Sequence, residues 1–173
     1  MIITISGPPG SGTTTLARFL SHEMGLRWVN SGEIFRKIAS DKGVSVNELN
    51  RMAEKGPEID YLIDDAQRAM ARDGGGIFEG RLSGHLLEAD LKIFLKTDLR
   101  VRAERISKRE GKLFDDAFRE ARAREESEGL RYEKYYNINI DDLSIYNLVI
   151  DSGKWNEKGT QAIALAGVMA LKE

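Results

Sequence analysis

Residues 1–20 read MIITISGPPGSGTTTLARFL, and the fold turns on them. Ile2–Ile5 form a short apolar run rich in β-branched side chains, which suits a strand buried in a parallel sheet. Behind it, Gly7 and Gly12 stand at the spacing of the phosphate-cradling pattern G-x-x-x-x-G-K-[ST], with Thr14 in the Ser/Thr position. The lysine position holds Thr13 instead. Residues 13–24 then read as a helix with Leu16, Ala17, Phe19 and Leu20 on its apolar face, and Gly25 is its stop.

A loop of this kind works through its backbone. Gly7, Gly10 and Gly12 allow successive N–H groups to turn toward one anion, while Pro8 and Pro9 stiffen its start. The helix that follows adds its positive N-terminal dipole. Thr14 or Thr15 could give a hydroxyl to Mg²⁺, and register favours Thr14. The missing lysine would add a point charge on the outer phosphates, so its loss weakens the charge and leaves the cradle. Three readings of the stretch stand side by side: a working phosphoryl-transfer site, a loop that binds without catalysis, and a Gly-rich turn of any α/β protein.

The chain has 173 residues, which suits a single domain. With 41% hydrophobic and 31% charged residues it has the composition of a globular protein. A net charge of -2 argues against bulk nucleic-acid binding. The absence of cysteine excludes disulfides and thiol chemistry. His22 and His85 are the sole histidines, so a His-rich metal site is not expected. No apolar run is long enough to span a membrane, and no basic segment precedes the first one. The expected location is the cytoplasm and the expected state a monomer.

Further along, RWVN (27–30) reads as a second strand, and Ser31 as the cap of a helix through about 40. Ser45 and Glu48 form a capping-box pattern for a helix over 45–56. Pro57 opens another helix to about Arg72, which stops at Gly74-Gly75-Gly76. IFEG (77–80), LKIFL (91–95) and NLVID (147–151) read as strands; 98–110, 113–136 and 157–171 read as helices. Strands alternating with helices predict a parallel α/β sheet, with ligands beyond the carboxyl ends of the strands.

Phosphoryl transfer needs positive charge on the moving group, and arginine supplies it in a planar fork. Arg102, Arg105 and Arg109 share one helical face by spacing. Arg124 and Arg131 are seven apart, with Arg122 close to that face. Each of these arginines could equally pair with a neighbouring acid on a solvated helix. Arg36 lies one turn into the helix after the second strand, and Glu79, Gly80 and Arg81 end the third. Arg36 and Arg81 could hold an acceptor phosphate; Glu79 could orient Mg²⁺ waters or pair with Arg81. Asp60 and Asp64 fall at i, i+4 with Asp65 beside them. They read as a solvated acidic face, an acid–base pair or a base-recognition element. Trp28 and Trp155 read as core or edge packing.

Across nearly its whole length the sequence resembles the nucleoside monophosphate kinases, most closely the archaeal-type cytidylate kinases. The resemblance rests on MIITISGPPGSGTTTLA with its threonine at the lysine position, SGEIFR, EGRLSG, VRAERISKREG and REESEGLRYEKYYNINIDDLSIYNLVID. It implies a three-layer P-loop kinase fold with a five-stranded parallel sheet and helices on both faces. The core would comprise 1–31, 74–110 and 140–173, with a monophosphate-binding region near 32–72 and a lid near 110–136. It implies transfer of phosphate from ATP to CMP or dCMP with Mg²⁺. By position, Gly7, Pro8, Pro9, Gly10, Ser11, Gly12, Thr13, Thr14 and Thr15 would bind ATP, with Thr14 on the metal. Arg36, Gly80, Arg81 and Asp60 would serve the acceptor. Arg105, Arg109, Arg122, Arg124 and Arg131 would clamp the transferred group. Another small P-loop kinase, such as one acting on shikimate, and a non-catalytic nucleotide-binding module remain as alternative readings.

Overall fold

A computed structural model describes residues 1–171. The elements run β1 (Ile2–Ser6), α1 (Thr13–Met24), β2 (Trp28–Asn30), α2 (Ser31–Asp41), α3 (Val46–Lys55), α4 (Glu58–Arg72), β3 (Gly76–Glu79), α5 (Ser83–Leu86), β4 (Leu91–Lys96), α6 (Leu99–Glu110), α7 (Phe114–Tyr136), β5 (Leu148–Asp151) and α8 (Glu157–Met169). The expected strands and helices coincide with these to within a residue or two. The single turn of α5 carries no hydrophobic period and has no signal in the sequence. At α2 the cap is Asn30, whose side chain accepts from the Glu33 N–H, and Ser31 is already helical. At α3 the Ser45–Glu48 capping box forms as its spacing predicts.

All five strands are parallel, in the order β2-β3-β1-β4-β5. The sheet therefore grows to one side of β1 with β2 and β3, and to the other with β4 and β5. A crevice opens outside the carboxyl ends of the strands at such a reversal, and the phosphate loop leaves β1 at that end.

Alternation along β1 sends Ile3 and Ile5 to one face, where they pack with Leu16, Ala17 and Leu20 of α1 and Ala164 and Val168 of α8. Ile2 joins Val29, Phe78 and Leu87 on the other face, against α2, α4 and α5. Burial of each such Ile or Leu is worth roughly 1.5–3 kcal/mol. Leu16 and Leu20 thus fix α1 rigidly, and the loop ahead of it is held from behind.

A second apolar cluster joins α2, α3 and α4 through Ala39, Leu49, Ala53, Ile59 and Ile63. Helix α7 packs on α6 through Ile106, Ala117 and Ala121. Its far end reaches the second cluster's helices. The Tyr61 and Tyr136 rings meet edge-on at 5.4 Å, Tyr135 Oη donates to the Glu54 carbonyl at 3.3 Å, and Ser127 Oγ donates to Glu54 Oε1 at 3.1 Å.

Candidate active site

In the loop after β1 the carbonyls of Pro9, Gly10 and Ser11 are claimed by side chains of α6 and of the segment after β5, and the Pro8 carbonyl accepts from the Ser11 N–H at 3.1 Å. Arg102 donates from Nη1 to the Pro9 carbonyl at 3.3 Å and from Nε to the Thr97 carbonyl at 3.0 Å. Arg105 Nη1 donates to the Gly10 carbonyl at 3.3 Å, and Ser152 Oγ donates to the Ser11 carbonyl at 2.6 Å. Arg105 Nη2 also donates to the Ser152 carbonyl at 2.6 Å, tying the loop after β5 into the same brace. Gly10 has φ +85°, and a Cβ there would sit 2.9 Å from the Arg102 carbonyl, so only glycine fits the turn. Helix α1 starts at Thr13 behind the N-cap Gly12, with no side-chain cap and no acid in its first turn. Its N-terminal N–H groups and dipole are therefore left for an external anion.

Opposite the loop lies Glu79, 5% exposed at the end of β3. Its Oε1 accepts from Thr13 Oγ1 at 2.9 Å and Thr14 Oγ1 at 2.6 Å. Its Oε2 accepts from Trp28 Nε1 at 3.0 Å and from Asn30 Nδ2. The lysine position is thus occupied by a hydroxyl that bonds to a buried carboxylate. All four of these donors are neutral. Of the two readings of Glu79, the pairing with Arg81 does not form: Arg81 reaches Glu128 at 3.3 Å and Glu125 at 3.7 Å, both on α7. Trp28, read as packing, carries a polar contact as well, and the Arg18 guanidinium lies over its ring at 4.9 Å. A Cβ on Gly80 would come within 2.6 Å of Ser83 Oγ, so glycine is needed where β3 turns into α5.

Two cavities border the loop, and a third adjoins one of them. One, of about 340 Å³, is walled by Ser11, Gly12, Thr15, Arg105, Ser152 and Trp155. Trp155, read as packing, is half exposed at this wall. A second, of about 270 Å³, is walled by the other side of the loop: Gly7, Pro8, Pro9, Gly10, Thr13 and Thr14, with Glu79 and Arg109. A third, of about 210 Å³, lies between α4 and α7. The second and third share Ser31, Gly32, Arg36, Arg81, Arg124 and Glu128. The phosphate loop therefore borders the first two spaces, and arginines stand at the junction of the second with the third.

The arginines of the sequence reading fall in different places. Arg36 is exposed on α2 and faces both joined cavities. Arg124 pairs with Glu128 at 2.8 Å, and Arg131 with Asp60 at 3.3 Å. Arg105 braces the loop rather than joining this group. Arg109 reaches the loop cavity and pairs with Glu110. Arg122 lines none of the three cavities and pairs with Glu126 on the exposed face of α7.

The acidic pair on α4 is not a solvated face: Asp60 and Asp64 are 5% and 4% exposed and line the third cavity. Burial raises the Asp60 carboxyl against the pull of Arg131. Burial pushes Asp64 up to about 6, opposed by the hydrogen bond from Tyr136 and reinforced by Asp60. Asp65, beside them, is exposed and meets Arg68. Glu128, Tyr136, Gln67, Ser152 and Glu125 carry no motif, and sequence spacing does not single them out.

This arrangement accompanies close sequence relatives. A family model described as the cytidylate kinase-like family matches residues 2–154. The chain belongs to the cytidylate kinase-like family. It is 67% identical to a cytidylate kinase of Methanothrix thermoacetophila over 99% of this chain and 100% of that one. It is 47% identical to a cytidylate kinase of Methanocella arvoryzae over 100% and 99%. Solved structures share the fold at lower identity. An uncharacterized protein of Eubacterium ventriosum gives a TM-score of 0.76 at 17% identity, covering 98% of this chain and 99% of that one. Shikimate kinase of Bacteroides thetaiotaomicron gives 0.61 at 15% identity, covering 99% of each. The fold is the three-layer P-loop kinase fold that the resemblance implied. No helix among the described residues is long and apolar enough to cross a membrane.

Proposed function

We propose that the chain is a cytidylate kinase, moving the terminal phosphoryl group of ATP to CMP and dCMP to give CDP and dCDP. The observation that carries this reading is the junction of two cavities across Arg36, Arg81 and Arg124, one bounded by the phosphate loop and the other by α4. A donor phosphate chain on the loop and an acceptor phosphate from the far cavity would meet at those guanidiniums. The relatives named cytidylate kinase supply the expected base.

In this reading residues 7–15 hold the ATP phosphates through backbone N–H groups and the α1 dipole. The cavity beside Trp155 receives the adenosine. Arg36 and Arg81 grip the acceptor phosphate in bidentate fashion. Arg109 and Arg124 neutralise the transferred group, Arg131 is held by Asp60 in the third cavity, and Arg105 acts through the loop it braces. No general base is needed, because the acceptor is already an anionic phosphate and placement in line suffices.

The residues present fit a magnesium ion. The Thr14 hydroxyl and the Glu79 carboxylate lie together at the loop, and among the described residues Glu79 has no cation as a hydrogen-bond partner. No cluster of three acidic or histidine side chains that could hold a metal occurs among the described residues. Both features suit Mg²⁺, which enters such sites on phosphates and waters with only one or two protein ligands. When bound, it neutralises charge on the donor phosphates.

The test is ADP release from purified protein with ATP, Mg²⁺ and a panel of monophosphates plus shikimate. Turnover highest with CMP and dCMP is expected. Preference for another acceptor would remove the cytidylate reading, and no turnover with any acceptor would leave a binding module.

A further inference from the structure

The cavity between α4 and α7 carries polar groups at the end away from the phosphate loop, and their chemistry is specific. Asp60, Ile63, Asp64 and Gln67 line it from positions i, i+3, i+4 and i+7 of α4, so they share one face. Phe35, Val46 and Leu82 complete that end with apolar surface suited to a flat ring. Gln67 is 1% exposed, and its Oε1 accepts from Ser83 Oγ at 2.7 Å. That bond fixes the amide's orientation and leaves Nε2 as the donor. Asp64 accepts from the Tyr136 hydroxyl on Oδ2; its Oδ1 receives no side-chain or turn hydrogen bond among the described residues. Asp60 differs, because its charge faces Arg131 at 3.3 Å, and its buried Oδ2 has no hydrogen-bond partner among the described residues. Asp64 forms no ion pair among the described residues, so it is the acid suited to a neutral N–H donor.

Resting on the cytidylate kinase reading, we propose that Gln67 and Asp64 read the base. Gln67 Nε2 donates to the O2/N3 acceptor edge of cytosine, and Asp64 accepts from its 4-amino group. The two residues are neighbours at i, i+3, with Cβ atoms about 5–6 Å apart, a spacing that lets both reach one ring edge. Uracil presents the reverse pattern: N3–H would meet the Gln67 donor, and O4 would meet the Asp64 acceptor. A buried polar pair left unmatched in this way is what rejects an analogue. The phosphate of the same nucleotide then points to Arg36 and Arg81, which line the opposite end of this cavity.

The experiment compares kcat/KM of the wild type for CMP, UMP and the 5′-monophosphate of the pyrimidin-2-one riboside, which lacks the 4-amino group. It repeats this for Asp64→Asn and Gln67→Glu. The wild type is expected to lose about ten- to a hundredfold from CMP to the pyrimidin-2-one analogue. In D64N, whose amide can turn to donate or accept, the UMP/CMP ratio is expected to rise at least about tenfold. In Q67E the CMP value is expected to fall with the KM for ATP unchanged. Equal use of CMP and the analogue by the wild type would overturn the assignment, with no variant needing to fold. So would a wild-type UMP/CMP ratio in folded D64N. Failure of the wild type to turn over CMP at all would remove the cytidylate reading itself. Turnover of CMP without analogue discrimination would remove only the base-reading pair.

Discussion

Thr13 Oγ1 donates to Glu79 Oε1 at 2.9 Å, so the position where this loop motif carries lysine faces a buried carboxylate. A lysine introduced there would find Glu79 before it found a phosphate. Thr13→Lys is expected to leave kcat unraised, and to raise the KM for ATP, because the ammonium pairs with Glu79 and breaks its bonds to Thr13 and Thr14. A large gain in kcat would mean that the native loop is short of charge and that the arginines beyond it do not compensate.

Glu79→Ala would leave four donors without their acceptor: two hydroxyls, the Trp28 indole and the Asn30 amide. An unsatisfied buried polar group costs about 1–3 kcal/mol. E79A is expected to lower stability by at least that amount in chemical denaturation. Glu79→Gln, which keeps an acceptor oxygen, should cost less. Equal losses would show that charge rather than hydrogen bonding holds the cluster.

Ser152→Ala removes the hydroxyl that holds the Ser11 carbonyl at 2.6 Å and accepts from Arg105 at 3.2 Å. Loosening the loop should raise the KM for ATP several-fold, in line with the loss of about 1 kcal/mol per hydrogen bond. The KM for the monophosphate should not move. A matching rise in both would place Ser152 in general packing instead.

Arg36 is exposed and forms no ion pair among the described residues, which makes Arg36→Ala a clean probe of the acceptor phosphate. Loss of a charged hydrogen bond, worth about 1.5–3 kcal/mol, predicts a ten- to hundredfold rise in KM for CMP. The melting temperature and the KM for ATP should stay near wild type. Arg81→Ala should show the same kinetic signature with lower stability, because Glu128 would lose one of its two cationic partners. Equal effects of R36A on both substrates would move Arg36 away from the acceptor.

Asp64 also sets a pH dependence of stability. Its folded pKa of about 6 lies above the ordinary 3.8, so between those values the native state binds more protons than the unfolded chain. Asp64's contribution to stability is then greatest below about pH 4, falls as pH rises toward 6, and levels off above. The groups around Asp64 are Tyr136 on α7 and Asp60, Asp65 and Arg68 on α4. Asp60 is raised by burial too and acts in the same direction. Denaturation at pH 4 to 7 should show D64N with a smaller downward slope than wild type. Identical slopes would mean that Asp64 is not raised in the folded protein.

The strand-loop-helix opening was legible because each feature is local. β-branched residues, glycines at fixed intervals and a 3.6-residue period need no distant partner to have meaning. The Ser45–Glu48 cap belongs to the same class, since both its bonds span three residues. α5 was not legible, because one turn of helix has no period to detect. Spacing put Arg102, Arg105 and Arg109 on one face, yet it could not tell a loop brace from a phosphate ligand. That difference lies in carbonyls some 95 positions away.

The amino-acid sequence determined the phosphate loop, the parallel α/β order and the family, since these follow from patterns within a few turns of chain. Only the tertiary structure decided which acid meets which arginine. It took Arg81 from Glu79 to Glu128 and buried Asp64 beneath Tyr136, 72 residues away. It also turned Gln67 into the same cavity as Arg36 and Arg81. The physical reason is that charge pairing and burial depend on distance in space. Helix α7, packed across α4, brings together side chains whose separation along the chain carries no pattern.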